Sequence, residues 1–209
     1  MNHRQYYAQC RRDLGSQHFQ TRHFDLALKE FHLSDSICVV VRDSLGIADT
    51  RMKMAIVYQF IGRIDDAMVL YGQSGEIAEQ TGNWNLAGAC FLNMGALEYK
   101  QSRLESALEN FKRARRLFEQ ADDFGSMVKS NNNIAAVYAT QGRVEASEAI
   151  YNENLSMARK KHEQLLASTA LSNLAANAVE RGRLLQSIEL LLESLRVLDS
   201  LPEFPHVAL

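Results

Sequence analysis

The chain has 209 residues, 46% of them hydrophobic and 23% charged, with a formal net charge of −2. That supplies a packed core and excludes a disordered chain, and the near-neutral balance gives no long-range pull toward nucleic acid or anionic lipid. No apolar run approaches the ~20 residues of a membrane span, and the N-terminal MNHRQYYAQCRRDLG lacks a signal peptide's apolar stretch. A cytoplasmic protein with no nucleic-acid partner and no membrane insertion is expected. Its three cysteines, Cys10, Cys38 and Cys90, are odd in number and show no CxxC spacing, which fits reduced, buried thiols.

The only two prolines, Pro202 and Pro205, fall in the last eight residues, so nothing forbids helix before them. Apart from ICVVV at 37–41, no stretch reads as a strand. The predicted fold class is all-α. In chain order, a first tight turn is expected at Arg22-His23-Phe24. The same signal returns at Gly62-Arg63-Ile64, Ser102-Arg103-Leu104, Gly142-Arg143-Val144 and Gly182-Arg183-Leu184, each forty residues after the last.

The columns of this repeat define its geometry. Seven residues before each turn stand Gly15, Ala55, Gly95, Ala135 and Ala175; five after it stand Ala27, Ala67, Ala107, Ser147 and Ser187. All are small, so they mark where two helices cross closely. Nine residues after each turn come Phe31, Tyr71, Phe111, Tyr151 and Leu191, which fill the space beside the crossing. Two more apolar columns, Leu14/Met54/Met94/Ile134/Leu174 and Phe24/Ile64/Leu104/Val144/Leu184, recur at helical spacing. Each unit is therefore a hairpin of two antiparallel helices, each about 15–18 residues long. The expected organisation is one array over 1–201, in repeats of about 8–43, 45–82, 83–123, 124–163 and 164–201, with 202–209 as a short tail.

The last helix breaks the pattern. The acidic column Asp25, Asp65, Glu105, Glu145 becomes Leu185, and His32, Gly72, Lys112, Asn152 gives way to Leu192. With Ile188 and Leu195 on nearly the same stripe, this helix carries a second apolar face. Terminal repeats of a stacked array usually present a polar outer face. The stripe is therefore expected to be covered by a second copy, a partner, or the tail carrying Phe204 and Val207, with a homodimer favoured.

The motif N-[LMI]-[GA] followed by G-x-[LIV], a small residue and an aromatic resembles the tetratricopeptide repeat. It is carried by Asn93-Met94-Gly95 with Leu104, Ala107 and Phe111, by Asn133-Ile134-Ala135 with Gly142, Val144 and Tyr151, and by Asn173-Leu174-Ala175 with Gly182 and Leu184. The forty-residue period is similar to the long-helix class seen in kinesin light chains, Leu-Gly-Asn spindle adaptors and bacterial peptide-pheromone receptors. Glu98 and His18 depart from the type, standing where Tyr58 and Tyr138 carry the usual aromatic. The resemblance implies a right-handed superhelical α-solenoid of five hairpins, ten helices, whose first helices line a concave groove.

It also implies binding rather than chemistry. Asn93, Asn133 and Asn173 share one column, preceded in it by Lys53 and Asp13. Related families are understood to use asparagines there to bond a peptide backbone, for which a carboxamide offers two donors and an acceptor. Asn132 is expected to face the groove too, whereas Asn131 should point into the hairpin or to its edge. Tyr99 and Phe60 are expected as apolar anchors, with Lys53, Lys100 and Lys129 making the middle mildly basic. Arg12, Phe19, Asp49, Met52, Gln59, Leu92, Thr140 and Glu180 complete the expected groove. The family's chaperone-tail clamp needs an asparagine column where this chain has Ser16, Ile56, Ala96, Ala136 and Ala176.

No phosphate loop, dinucleotide fingerprint, nucleophile elbow or metal-ligand spacing of the six histidines occurs. No catalytic residue, metal or cofactor is expected. The function expected is a non-enzymatic adaptor or scaffold that binds a peptide or helical segment of a protein partner. A self-assembling structural subunit and a peptide-sensing regulator fit the same architecture.

Overall fold

The structure, a computed structural model, describes residues 3–199; the tail at 202–209, with Phe204 and Val207, lies outside the described residues. Ten helices and no strand occur among them: α1 (His3–Gln20), α2 (Phe24–Val40), α3 (Ser44–Phe60), α4 (Ile64–Gln80), α5 (Trp84–Lys100), α6 (Leu104–Gln120), α7 (Phe124–Thr140), α8 (Val144–Lys160), α9 (Gln164–Glu180) and α10 (Leu184–Asp199). ICVVV belongs to α2, and the first helix starts at His3, ahead of the expected repeat boundary at 8. The chain divides into two compact units between Asp123 and Phe124.

Nine turns join the helices, and each places one residue in the left-handed region: 22, 42, 62, 82, 102, 122, 142, 162 and 182. In each, two backbone hydrogen bonds close the outgoing helix. At the first, His23 N–H donates to the His18 carbonyl at 2.8 Å and Arg22 N–H to the Phe19 carbonyl at 3.0 Å. This is the Schellman arrangement, which uses carbonyls the helix leaves orphaned. The residue that completes it also opens the next helix: Asp43 accepts from Gly46 N–H at 2.9 Å and Asn83 from Leu86 N–H at 3.2 Å. The backbone thus repeats every twenty residues, half the period visible in the side chains.

In unit 1 the small columns are buried at the crossings of α1/α2, α3/α4 and α5/α6. A Cβ added to Gly95 would stand 3.2 Å from the Ala107 carbonyl oxygen and 2.7 Å from the Phe111 ring, and one added to Gly15 would stand 2.6 Å from Phe31. These glycines are required by the aromatic nine residues past the turn. The device recurs between hairpins with Gly75 under Phe91, and a second time within the α5/α6 hairpin with Gly88 under Phe118, each leaving 2.9 Å for a Cβ. In unit 2, Tyr151, Leu155, Leu171 and Leu174 form the core with Ala135, Ala158, Ala167 and Ala170.

Two columns lose their burial at the ends. Leu14 on the first helix and Leu191 on the last are exposed, unlike Met54, Ile134 and Leu174, or Phe31, Tyr71, Phe111 and Tyr151. Each lies in an outermost hairpin, which has a neighbouring hairpin on one side only among the described residues. Buried Glu98, standing in the tyrosine column, is satisfied by Asn110, whose amide donates to it at 2.7 Å.

Candidate peptide-binding faces

Curvature within each unit follows from which helices touch. In unit 1, α1 meets α3 and α3 meets α5; in unit 2, α7 meets α9. No pair of second helices approaches as closely within a unit. First helices therefore line the inner side of each unit and second helices the outer side.

On those inner sides the asparagines separate into two classes. Asn93 on α5, Asn133 on α7 and Asn173 on α9 are half-buried and make no side-chain hydrogen bond among the described residues. Asn131 is 2% exposed, and its amide donates to the Asn154 carbonyl at 2.8 Å. The Asn154 amide donates in turn to the Asn132 carbonyl at 2.9 Å, and the Asn177 amide to Ser147 Oγ at 3.0 Å. Asn131 points into the hairpin as expected. Asn132 departs from the expected groove role in part, since its carbonyl is engaged by the partner helix. Asn154, which carries the sequon-like Asn-Leu-Ser, is fully buried in this network.

The expected basic groove is weaker than its lysine count. Lys53 lies 3.6 Å from Asp49, which also pairs with buried Arg12 at 3.2 Å. Arg12 further donates to Ser34 and Cys38, so Arg12 and Asp49 are structural rather than open. Gln59 and Leu92 were both expected to face the groove; half-buried Gln59 has its side-chain carbonyl engaged by the Tyr71 hydroxyl at 2.8 Å, and Leu92 is buried. Lys100 and Lys129 are exposed and unpaired among the described residues, and Tyr99 is half-buried. Phe60, 65% exposed, stands edge-on to Phe19 at 5.0 Å with Phe24 at 6.3 Å. An aromatic cluster thus marks the end of α3 in unit 1.

A further column escaped the sequence reading. Ser34, Ser74, Ala114, Asn154 and Ser194, twelve residues past each turn's first residue, are all buried. Ser34 donates to the Ala8 carbonyl at 2.9 Å, Ser74 to the Ala48 carbonyl at 2.7 Å and Ser194 to the Ser168 carbonyl at 3.2 Å. Small residues at a fixed offset were the available signal. Beside Ser74, burial pushes the Cys90 thiol from 9.0 up to about 11, and burial also raises Cys38. These are neutral core thiols, not nucleophiles.

The tetratricopeptide repeat family matches residues 46–120 and 126–200. The chain belongs to the tetratricopeptide repeat family. No curated protein matches it. Among solved structures it is similar to BtubC (BKLC) from P. vanneervenii, at 16% identity and a TM-score of 0.77 over 94% of this chain and 82% of that one. A Podosopora anserina putative kinesin light chain with nearly identical TPR-like repeats matches at 16% identity and 0.76, over 98% and 100%. A Rap protein complexed with competence and sporulation factor matches at 16% and 0.64, over 94% of this chain and 55% of that one. At such identities the likeness is one of fold. The tetratricopeptide architecture presents protein-binding faces. Among the described residues, no cluster of His, Cys, Asp or Glu could hold a metal and no helix is long and apolar enough to cross a membrane.

Proposed function

We propose that this chain is a non-enzymatic adaptor whose inner faces capture an extended peptide or helical segment of a protein partner. The observation that carries this is the contrast between two sets of amides. Asn131, Asn132, Asn154 and Asn177 are bonded within their unit, whereas Asn93, Asn133 and Asn173 hold half-buried amides with no hydrogen-bond partner among the described residues. A half-buried amide left unbonded is poorly solvated on one side and gains most from a backbone laid across it. Phe60, with Phe19 and Phe24 behind it, offers an apolar side chain an aromatic seat, and Lys100 and Lys129 favour acidic residues in the ligand. Lys53, 3.6 Å from the Asp49 carboxylate that it shares with Arg12, precedes Asn93 in the same repeat column, and Tyr99 lies on the same helix as Asn93. The complex of a Rap protein with competence and sporulation factor gives a precedent for a peptide ligand on this fold.

Selection from a displayed peptide library tests the reading. Peptides retained by the wild type should be lost when Asn93, Asn133 and Asn173 are all replaced by alanine, while the melting temperature stays within a degree or two. Equal retention by the triple variant would assign the binding elsewhere, and a large stability loss would make these amides structural.

A further inference from the structure

Six aliphatic side chains of α10, Leu184, Leu185, Ile188, Leu191, Leu192 and Leu195, are exposed, Leu185 to 79%. They form a stripe ~16 Å long. Glu189 and Arg196 border it on the side of Leu185 and Leu192, both exposed and without an ion pair among the described residues. In earlier repeats the chain that follows directly covers the other four columns. Phe24, Leu28 and Phe31 of α2 pack with Met54 and Val57 of α3, and Ile64, Met68 and Tyr71 of α4 with Cys90 and Leu97 of α5.

After α10 the chain is barred from making the same turn. At 42, 82, 122 and 162 the turn into the next hairpin holds a left-handed residue, with φ of 58°, 74°, 53° and 57°. The N–H of that residue closes the outgoing helix, as Arg42 donates to the Val39 carbonyl at 3.2 Å and Gly82 to the Glu79 carbonyl at 3.1 Å. Forty residues past His162 stands Pro202, whose ring fixes φ near about −65° and leaves no N–H. A further hairpin cannot start in this register.

Residues 200–209, outside the described set, read SLPEFPHVAL. Pro202 and Pro205 hold themselves, and the residues before them, to extended backbone. In polyproline II geometry, with about three residues per turn and ~3.1 Å per residue, Leu201, Phe204 and Val207 share one face at ~9 Å intervals. The α10 stripe repeats every seven residues, or ~10.5 Å, so the two spacings nearly match.

We propose that this segment turns back at 200–201 and lies antiparallel along α10 of its own chain, capping the stripe. Residues 201–209 span ~25 Å in this geometry, enough for the ~22 Å from Asp199 back to Leu184. Phe204 then falls over Leu192 and Leu195, and Val207 over Leu185 and Ile188. Glu203 and His206 share the next face of the segment, and the same register sets Glu203 beside Arg196 and gives the His206 imidazole an acceptor in Glu189. Laid parallel, the segment would set Glu203 against Glu189, so the charges select the antiparallel sense. The cap also accounts for Leu185 and Leu192. Their counterparts Asp25, Asp65 and Glu145, and His32 and Asn152, stay exposed although another hairpin packs beside each. A segment returning along the helix needs apolar residues there, and a stacked hairpin does not.

The test uses the full chain and the fluorescence of anilinonaphthalene sulfonate, a dye for exposed apolar surface. Sedimentation equilibrium gives the mass and far-UV circular dichroism the helicity. The wild type should be a monomer of 23.6 kDa that binds little dye. Phe204→Gln/Val207→Gln should raise the dye signal at least about threefold with unchanged helicity. Adding Leu185→Gln/Leu192→Gln should remove more than about half of that rise, which locates the dye on the stripe. A tail variant no brighter than the wild type, or a rise that persists in the quadruple variant, would overturn the cap. So would a wild type at twice the monomer mass whose association Leu185→Gln/Leu192→Gln breaks, since a second copy would then hold the stripe.

Discussion

Gly95 and Gly72 make one chemical change with opposite expected signs. Replacing a mid-helix glycine by alanine favours the folded state by roughly 0.5–1 kcal/mol, since alanine has less backbone freedom to lose. At Gly72 on α4 the nearest atom to a new Cβ is Met94 Cε at 4.0 Å, an ordinary contact, so Gly72→Ala should realise that gain. At Gly95 the Cβ would meet Phe111 Cδ1 and Cε1 at 2.7 Å and the Ala107 carbonyl oxygen at 3.2 Å. The ring is buried and cannot swing out, and the carbonyl belongs to the backbone of the crossing helix. Relieving both contacts means separating α5 from α6 by several tenths of an ångström, an overpacking cost of about 1–3 kcal/mol. The net for Gly95→Ala is then a loss of about 0.5–2 kcal/mol. Urea unfolding followed by circular dichroism, with both variants beside the wild type, reads the difference as midpoints displaced to either side. A Gly95→Ala midpoint at or above the wild type would refute the role assigned to the small-residue column.

Three further expectations come from the same features. Ser102 holds a φ of 60°, so Ser102→Gly should stabilise by about 0.5–1 kcal/mol despite glycine's larger entropy loss; an unchanged urea midpoint would count against strain at the turn. Asn131→Ala should cost about 1–3 kcal/mol by stranding the Asn154 carbonyl in a buried site, while Asn133→Ala on the same helix should cost little; equal losses would erase the distinction between structural and open amides. Since the folded Cys90 thiol titrates near 11 against 9.0 for an ordinary thiol, the unfolded chain sheds its proton first as pH rises. Its contribution is complete below pH 9 and is lost between pH 9 and 11, about 2–3 kcal/mol in all; in Cys90→Ala that part of the alkaline decline should be missing, and an identical pH profile would show the thiol to be unperturbed.

The alternation of small and aromatic columns was legible in the sequence because it is a local demand repeated five times. Wherever two helices cross closely, Cβ volume is limiting, so Gly15, Ala55, Gly95, Ala135 and Ala175 keep one register. For the same reason the ten helices and the five turns within hairpins could be placed from residue types alone. The turns between hairpins at Arg42, Gly82, Asp122 and His162 were placed only by the forty-residue period, through repeat boundaries near 43, 82, 123 and 163: a Schellman closure is made by backbone groups, which leave no common side-chain signature. The inner-face asparagines were visible as a column, but which amides are open is decided by what the partner helix offers. Asn132 meets Asn154 across its hairpin and Asn133, one residue on, makes no side-chain hydrogen bond among the described residues. Lys53 likewise carried its charge in the sequence, and the structure pairs it with Asp49, four residues away on the same helix, a carboxylate it shares with Arg12. Repetition therefore wrote the scaffold into the chain, because every repeat must satisfy the same steric limit. Which polar groups stay available depends on one partner at one position, and only the packed structure brings that partner within reach.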